Sequence, residues 1–299
     1  QGYFNWVLVD YSNRLGVYGI KADSLLCSNF SGSINVSSQD LNTTSQDNIN
    51  LSMQTVGIYV SQAINGGSPD VAMTISGNIT VHSEAGVAVG ILRGISTINS
   101  AGAVNIAISG NINVTSDTTD AYAVYVGDIW SKVENNDTGG NTSTWITTPV
   151  DDRISISGSA VIVGNFELAT GSNYITIDSR ASVTGQLMTT GGTLNLKFNL
   201  IGGTDDTATL STSSNFGSAE CSITTFTLDV NQAESGLYSI LFDADGISSK
   251  WQGREVSILY NGQTTVVRVG LEGNCEVVRV NGTDSLSMKV YVKNGQTIV

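Results

Sequence analysis

Charge is scarce in this sequence: only 13% of its 299 residues are Asp, Glu, Lys or Arg, about half the usual share near 25%. Positive charge is scarcer still, with 13 Lys and Arg against 26 Asp and Glu and a net charge of −13. Nucleic-acid phosphates and anionic lipid leaflets both demand a basic face, so neither is an expected partner. There is one histidine, His82, and there are three cysteines, Cys27, Cys221 and Cys275. No CxxC or Cys/His cluster exists, which excludes a zinc site. Three thiols cannot build a disulfide framework, although Cys221 and Cys275 are free to pair and leave Cys27 alone. No apolar run approaches the roughly 18 residues of a membrane span, so no insertion by this segment is expected. Helical caps and a 3.6-residue periodicity are also missing. Two prolines are what continuously stacked strands tolerate.

Glycine is plentiful, at 33 residues, and 40% of the chain is apolar, so this is no disordered acidic tail. Together with a surface made polar by Ser, Thr and Asn, the composition suggests an extracellular, all-β protein. The chain starts at Gln1 with no basic-then-apolar leader, so either a leader has been removed or this is a segment of something longer.

A phrase recurs. Ser31-Gly-Ser-Ile-Asn-Val, Ser76-Gly-Asn-Ile-Thr-Val, Ser109-Gly-Asn-Ile-Asn-Val and Ser157-Gly-Ser-Ala-Val-Ile align without gaps, with starts 45, 33 and 48 residues apart. Each contains an apolar alternation, namely Ile34/Val36, Ile79/Val81, Ile112/Val114 and Ala160/Ile162. Period-two alternation marks a strand with one buried face. An apolar residue also precedes each Ser (Phe30, Ile75, Ile108, Ile156), which puts Ser-Gly at a bend between two short strands. A second phrase takes turns with the first: Gly16-Val-Tyr-Gly-Ile20, Val56-Gly-Ile-Tyr-Val60, Val87-Ala-Val-Gly-Ile91 and Tyr122-Ala-Val-Tyr-Val126. Two alternating strand phrases at a near-constant period imply one supersecondary unit, stacked. Ile over Ile and Val over Val then fill the interior, while Asn and Thr ladder outside. The fold predicted is all-β, a right-handed parallel β-helix over residues 1–203. Weaker strands are expected at 173–178, 181–187 and 193–198. Past 203 the runs lengthen and tight turns appear at Asn261-Gly262 and Asn281-Gly282. Residues 204–299 therefore read as an antiparallel β module that caps the open coil end. A β-sandwich is the competing architecture, but sandwich strands do not repeat their wording.

The Ser-Gly-Asn-Ile-x-Val repeats, the Gly-Ile-Tyr-Val phrases and the run from Gly171 to Gly185 resemble the passenger domains of bacterial autotransporter (type V secreted) proteins. Gly236-Leu-Tyr-Ser-Ile-Leu and Val256-Ser-Ile-Leu-Tyr-Asn-Gly262 are similar to modules of long autotransporter-like surface proteins. The resemblance implies export across the bacterial outer membrane, a cell-surface or secreted location, an adhesive or structural role, and an outer-membrane barrel in the parent chain. No barrel strand is recognisable here.

Parallel β-helices also host polysaccharide lyases and hydrolases, whose chemistry needs carboxylates clustered with a basic residue. His82 falls at the repeat offset of Ser37, Thr115 and Val163, an outward or turn position. Asp151-Asp152 and Asp205-Asp206 read as solvated turns, and Arg93, Arg153 and Arg180 lack an acidic cluster at matching offset. Asp243-Ala-Asp-Gly246 and the run from Glu134 to Gly140 supply oxygens, but neither fits a twelve-residue calcium loop. No cofactor, metal or catalytic residue is expected, and the chain reads as no enzyme. The sequons at Asn29, Asn35, Asn78, Asn113 and Asn281 read mainly as ladder residues. The long insertion 127–152 carries Trp130 and Trp145 and is the candidate binding loop. Its aromatics either stack on a sugar ring or pin the loop base to the coil. The polar insertion 38–50 reads as plain surface. A glycan or surface protein is the expected partner. The rival functions are a β-helical carbohydrate-active enzyme and a self-associating surface scaffold.

Overall fold

The computed structural model describes residues 8–9, 15–39, 53–94, 102–135, 142–201, 209–211, 223–233, 236–239, 254–269, 274–279, 286–291 and 297–298. Every regular element among them is a β-strand, and no helix long and apolar enough to cross a membrane occurs. Three long, mainly parallel sheets dominate, and the chain visits them in rotation. Leu15–Leu26, Met53–Asn65, Val87–Arg93, Ala121–Val126, Asn165–Leu168 and Leu187–Thr189 are successive neighbours in the first sheet. Asn29–Phe30, Met73–Ile75, Asn105–Ile108, Arg153–Ile156, Ser172–Asp178, Thr193–Asn199 and Ile223–Asp229 follow one another in the second. Ile34–Ser38, Ile79–Ser83, Ile112–Ser116, Val161–Val163, Ser182–Thr184 and Thr209–Ser211 make up the third. The all-β, parallel character read from the repeats is present.

Stacking at strand spacing sets like residue over like. One inward column of the second sheet runs Phe30, Ile75, Ile108, Ile156, Ile177, Phe198, Leu228 and Ile258. The first sheet contributes Ile20, Ile58, Ile91, Val124, Phe166 and Leu187. The third contributes Ile34, Ile79, Ile112, Ile162 and Val183. Nearly all of these are buried in one continuous core, and each buried aliphatic side chain is worth about 1.5–3 kcal/mol.

Glycine forms a column of its own where the first sheet lies against the third. Gly19, Gly57 and Gly90 sit level with one another, followed by Ala123. A Cβ on Gly57 would lie 2.6 Å from the Gly90 carbonyl oxygen and 2.8 Å from Ile79 Cγ2. On Gly90 it would lie 2.7 Å from the Ala123 oxygen and 3.0 Å from Ile112 Cγ2. The missing methyl is what lets the two sheets approach. Ala123 keeps its methyl at the point where pairing with Asn165–Leu168 slips between Tyr122 and Val124.

The register differs from the gapless reading in two places. Ser157 still follows the Ile108 level, since its N–H donates to the Ile108 carbonyl. Gly158 then takes φ +63° in a turn with Ser159, and these extra residues bring Ile162, not Ala160, over Ile112. Val163 therefore stacks on Asn113 and does not share the offset of His82. In the second phrase, Ile58 and Val124, not Val60 and Val126, continue the column of Ile20 and Ile91. Both slips are by two residues, so every side chain keeps its face. Pattern alone does not distinguish such registers.

Parallel pairing continues beyond residue 203, with Ile223–Asp229 on Thr193–Asn199 and Arg254–Tyr260 on Ile223–Asp229. Antiparallel pairing enters with the hairpin of Arg254–Tyr260 and Gln263–Val269. Asn261 at φ +49° and Gly262 at φ +73° close it, both in the left-handed region that a two-residue hairpin turn requires. Gly236–Ser239, Asn274–Arg279, Leu286–Tyr291 and Thr297–Ile298 form a separate antiparallel sheet. The turn at Asn281-Gly282, the proposed Cys221–Cys275 pairing, most of 38–50, and the acidic runs at 205–206 and 243–246 lie outside the described residues. Cys27 is a free thiol whose Sγ lies 3.4 Å from Met73 Sδ.

Candidate functional site

The insertion singled out by its length is an antiparallel ribbon, Ile129–Asn135 paired with Thr142–Thr148. Ile129 is buried at its root. The Ser131 and Thr148 hydroxyls are 2.6 Å apart across the ribbon. Asp128 Oδ1 accepts the Thr170 N–H at 2.8 Å and the Thr190 hydroxyl at 3.0 Å, which ties the root to the next two levels of the stack. Trp130 is opposite Thr147 and Trp145 opposite Lys132, so positions 130, 132, 145 and 147 share one ribbon face. Trp130 is partly buried; the Trp145 side chain is outside the described residues.

His82 stacks between Ser37 and Thr115. Its Nδ1 is 3.0 Å from Thr115 Oγ1 and its Nε2 is 3.8 Å from Asp117 Oδ2, on an open surface. Asn78 and Asn111 do ladder: Asn78 Oδ1 accepts the Asn111 N–H at 3.0 Å, and Asn111 Oδ1 accepts the Val161 N–H at 2.9 Å. No group of three His, Cys, Asp or Glu side chains able to hold a metal occurs among the described residues.

The two halves of Asp151-Asp152 behave differently. Asp151 is exposed and accepts the Ser172 N–H at 3.0 Å, as a solvated turn would. Asp152 is fully buried, which corrects the surface reading, and its Oδ1 accepts the Val104 N–H at 2.9 Å. Arg93, read from the sequence as lacking an acidic cluster at its offset, is fully buried as well, within electrostatic reach of Asp152 and Asp128, and donates from Nη2 to the Gly127 carbonyl at 2.5 Å. Burial pushes the Asp152 carboxyl up to about 6, although Arg93 and two backbone N–H groups pull it down. Burial likewise lowers the Arg93 pKa against the pull of Asp152 and Asp128. Nothing local in the sequence marks this pair, because the partners are 59 residues apart.

Between about pH 4 and 6 the native state therefore holds the Asp152 proton after the unfolded chain has released it. Stability from this group falls as pH rises through that window, by about 3 kcal/mol in all. Denaturant titrations of wild type and Asp152→Asn from pH 4 to 7.5 are expected to diverge by that amount in favour of the variant, whatever their offset at pH 4. Parallel curves would show that the buried carboxyl does not titrate in this way.

Tyrosines line two surfaces. On the first sheet, Val56, Val89 and Leu92 form a second buried cluster packed by Tyr18, Tyr59, Tyr122 and Tyr125. Tyr18 and Tyr59 meet edge to face at 5.4 Å, as do Tyr122 and Tyr125 at 5.3 Å. Burial raises both of the latter hydroxyls, Tyr125 to about 12, with Glu167 adding to each. These rings are packing elements.

The outer face of the second sheet is different. A groove of about 440 Å³ runs across it from Asn105–Ile108 to Ile223–Asp229, five neighbouring strands or roughly 19 Å. One column on its floor is Asn105, Arg153, Tyr174, Asn195 and Thr225. The next holds Ser155, Thr176, Lys197 and Thr227. Tyr174 is 39% exposed, and the Arg153 guanidinium carbon lies 5.0 Å from its ring centroid. Asn195 is fixed on both sides, donating to the Asn173 carbonyl at 3.2 Å and accepting from the Thr225 hydroxyl at 2.7 Å. Lys197 Nζ is 3.5 Å from Asp229 Oδ2 at the groove's edge.

No protein-family model, curated protein or solved structure matches this chain. The groove is therefore interpreted from its own chemistry. A partly exposed tyrosine ring, two cations and a run of amides and hydroxyls set at strand spacing suit a polyhydroxylated chain laid across the strands. Sequence reading placed Tyr174, Asn195 and Lys197 in weak strands without marking them as a site. The available signal was that they share one repeat offset with Arg153 or its neighbour.

Proposed function

We propose that this chain is a non-catalytic, exported surface segment, built as a right-handed parallel β-helix, that adheres to glycans. Three sheets visited in rotation and level columns of Ile and Val support the helical winding. The phrase resemblance to autotransporter passengers supports a cell-surface or secreted setting, with an outer-membrane barrel as export partner in a longer parent. The observation that carries the adhesive role is the groove on the second sheet, where Tyr174 lies open between Arg153 and Asn195. Aromatic faces bind pyranose rings through their C–H edges, while the fixed Asn195 amide and neighbouring hydroxyls read the sugar oxygens.

Glycan-array binding of the whole chain is the test, with Tyr174→Ala and Trp130→Ala run beside wild type. The expected result is retained binders, at least about a tenfold loss for Tyr174→Ala, and an unchanged melting temperature for that exposed site. Loss on Trp130→Ala alone would move the site to the ribbon. A wild-type array without binders would overturn the adhesive reading.

A further inference from the structure

We infer that the groove's ligand is an acidic polysaccharide bearing carboxylates, an inference that rests on the adhesive reading above and narrows it. Charge complementarity carries it. The whole chain has twice as many acidic as basic residues, yet among the described residues the groove is lined by two cations, Arg153 and Lys197, and by no Asp or Glu. Asp229, whose Oδ2 pairs with Lys197 Nζ at 3.5 Å, is not among the lining residues, so a ligand carboxylate at Lys197 shares the ammonium with it.

The placement of the two cations is equally specific. Arg153 and Lys197 belong to strands two levels apart, with the Tyr174 strand between them, a separation of roughly 10 Å along the stack. They occupy adjacent columns, so a polymer crossing the strands meets guanidinium, aromatic ring and ammonium in turn. A regular acidic polysaccharide presents the matching sequence of carboxylate, ring face and carboxylate. The guanidinium's planar fork suits a planar carboxylate, and its stacking on Tyr174 holds that fork in place before ligand arrives. Asn195 and the Thr176, Thr225 and Thr227 hydroxyls remain for neutral sugar oxygens. The column spacing is fixed by backbone pairing, so little order has to be created on binding.

The experiment is calorimetric titration of the full chain with polygalacturonate, with the same polymer after carboxyl reduction, and with dextran sulfate. The expected result is at least about tenfold tighter binding to polygalacturonate than to either other polymer. Arg153→Gln and Lys197→Gln are each expected to lose about tenfold for polygalacturonate and little for the reduced polymer. Equal affinity for the acidic and reduced polymers would overturn the carboxylate assignment and leave glycan adhesion standing. Tighter binding to dextran sulfate would overturn it in favour of sulfated chains. Failure to bind any of the three, with a blank array, would remove both readings together. Melting curves check that the variants are folded, and the wild-type comparison among polymers decides the matter even where a variant is not.

Discussion

Ile112→Asp is expected to prevent folding. Ile112 is completely buried between Ile79 below and Ile162 above, with Gly90 of the first sheet against it. An ionised carboxylate there has no partner and no water, and its cost is several kcal/mol or more. That equals much of the 5–15 kcal/mol that holds an ordinary domain together. The sharp contrast is with the next residue: Asn113 on the same strand is exposed, and Asn113→Asp is expected to stay within about 0.5 kcal/mol of wild type. Circular dichroism and limited proteolysis of the two variants would show one unfolded chain and one native one. An Ile112→Asp protein that melts like wild type would mean that the side chain does not face the interior.

Gly57→Val is the second large effect, and it tests the contact between sheets instead of the core column. The new Cβ meets a backbone oxygen at 2.6 Å and a packed isoleucine methyl at 2.8 Å, and neither can step aside without moving a strand. Overpacking of this kind costs about 3 kcal/mol or more, a fall in melting temperature of roughly 5 °C for a chain of this size. Ala123→Gly, one step beyond the same column, is expected to lose only about 1 kcal/mol through backbone freedom. Thermal melts of the pair separate the explanations. If Gly57→Val and Ala123→Gly shift the midpoint equally, the glycines are not spacing the sheets.

These two sites also show what was legible in the sequence. Ile34, Ile79 and Ile112 announce their common column because each is embedded in the same words, and the Ser-Gly bends before them hold up at three levels. The fourth level fails because Ser157-Gly158 looks like its predecessors while Gly158 turns the opposite way in φ, and side-chain alternation is blind to a two-residue slip. Asp152 was legible as an acidic residue but not as a buried one, since its environment is made by Val104 and Arg93 from another turn of the chain. The groove was hidden for the same reason. Arg153, Tyr174 and Asn195 are unremarkable until parallel pairing sets them side by side, and then their spacing follows from the repeat. The tryptophans drew notice because an insertion breaks a period, which is a property of the text. The groove breaks nothing.

The rotation through three sheets has a mechanical consequence. Each level is joined to its neighbours by rows of hydrogen bonds that point along the stack. A pull applied along that axis at the two ends loads those rows one level at a time, as in opening a zipper. Successive levels around Ile58, Ile91 and Val124 are 33 residues apart, so each of these that yields releases roughly 110 Å of extended chain, whereas the 21-residue step from Phe166 to Leu187 releases roughly 70 Å. A molecule tethered at one end and gripped at the other would lengthen in such increments and dissipate load while the levels below keep their shape.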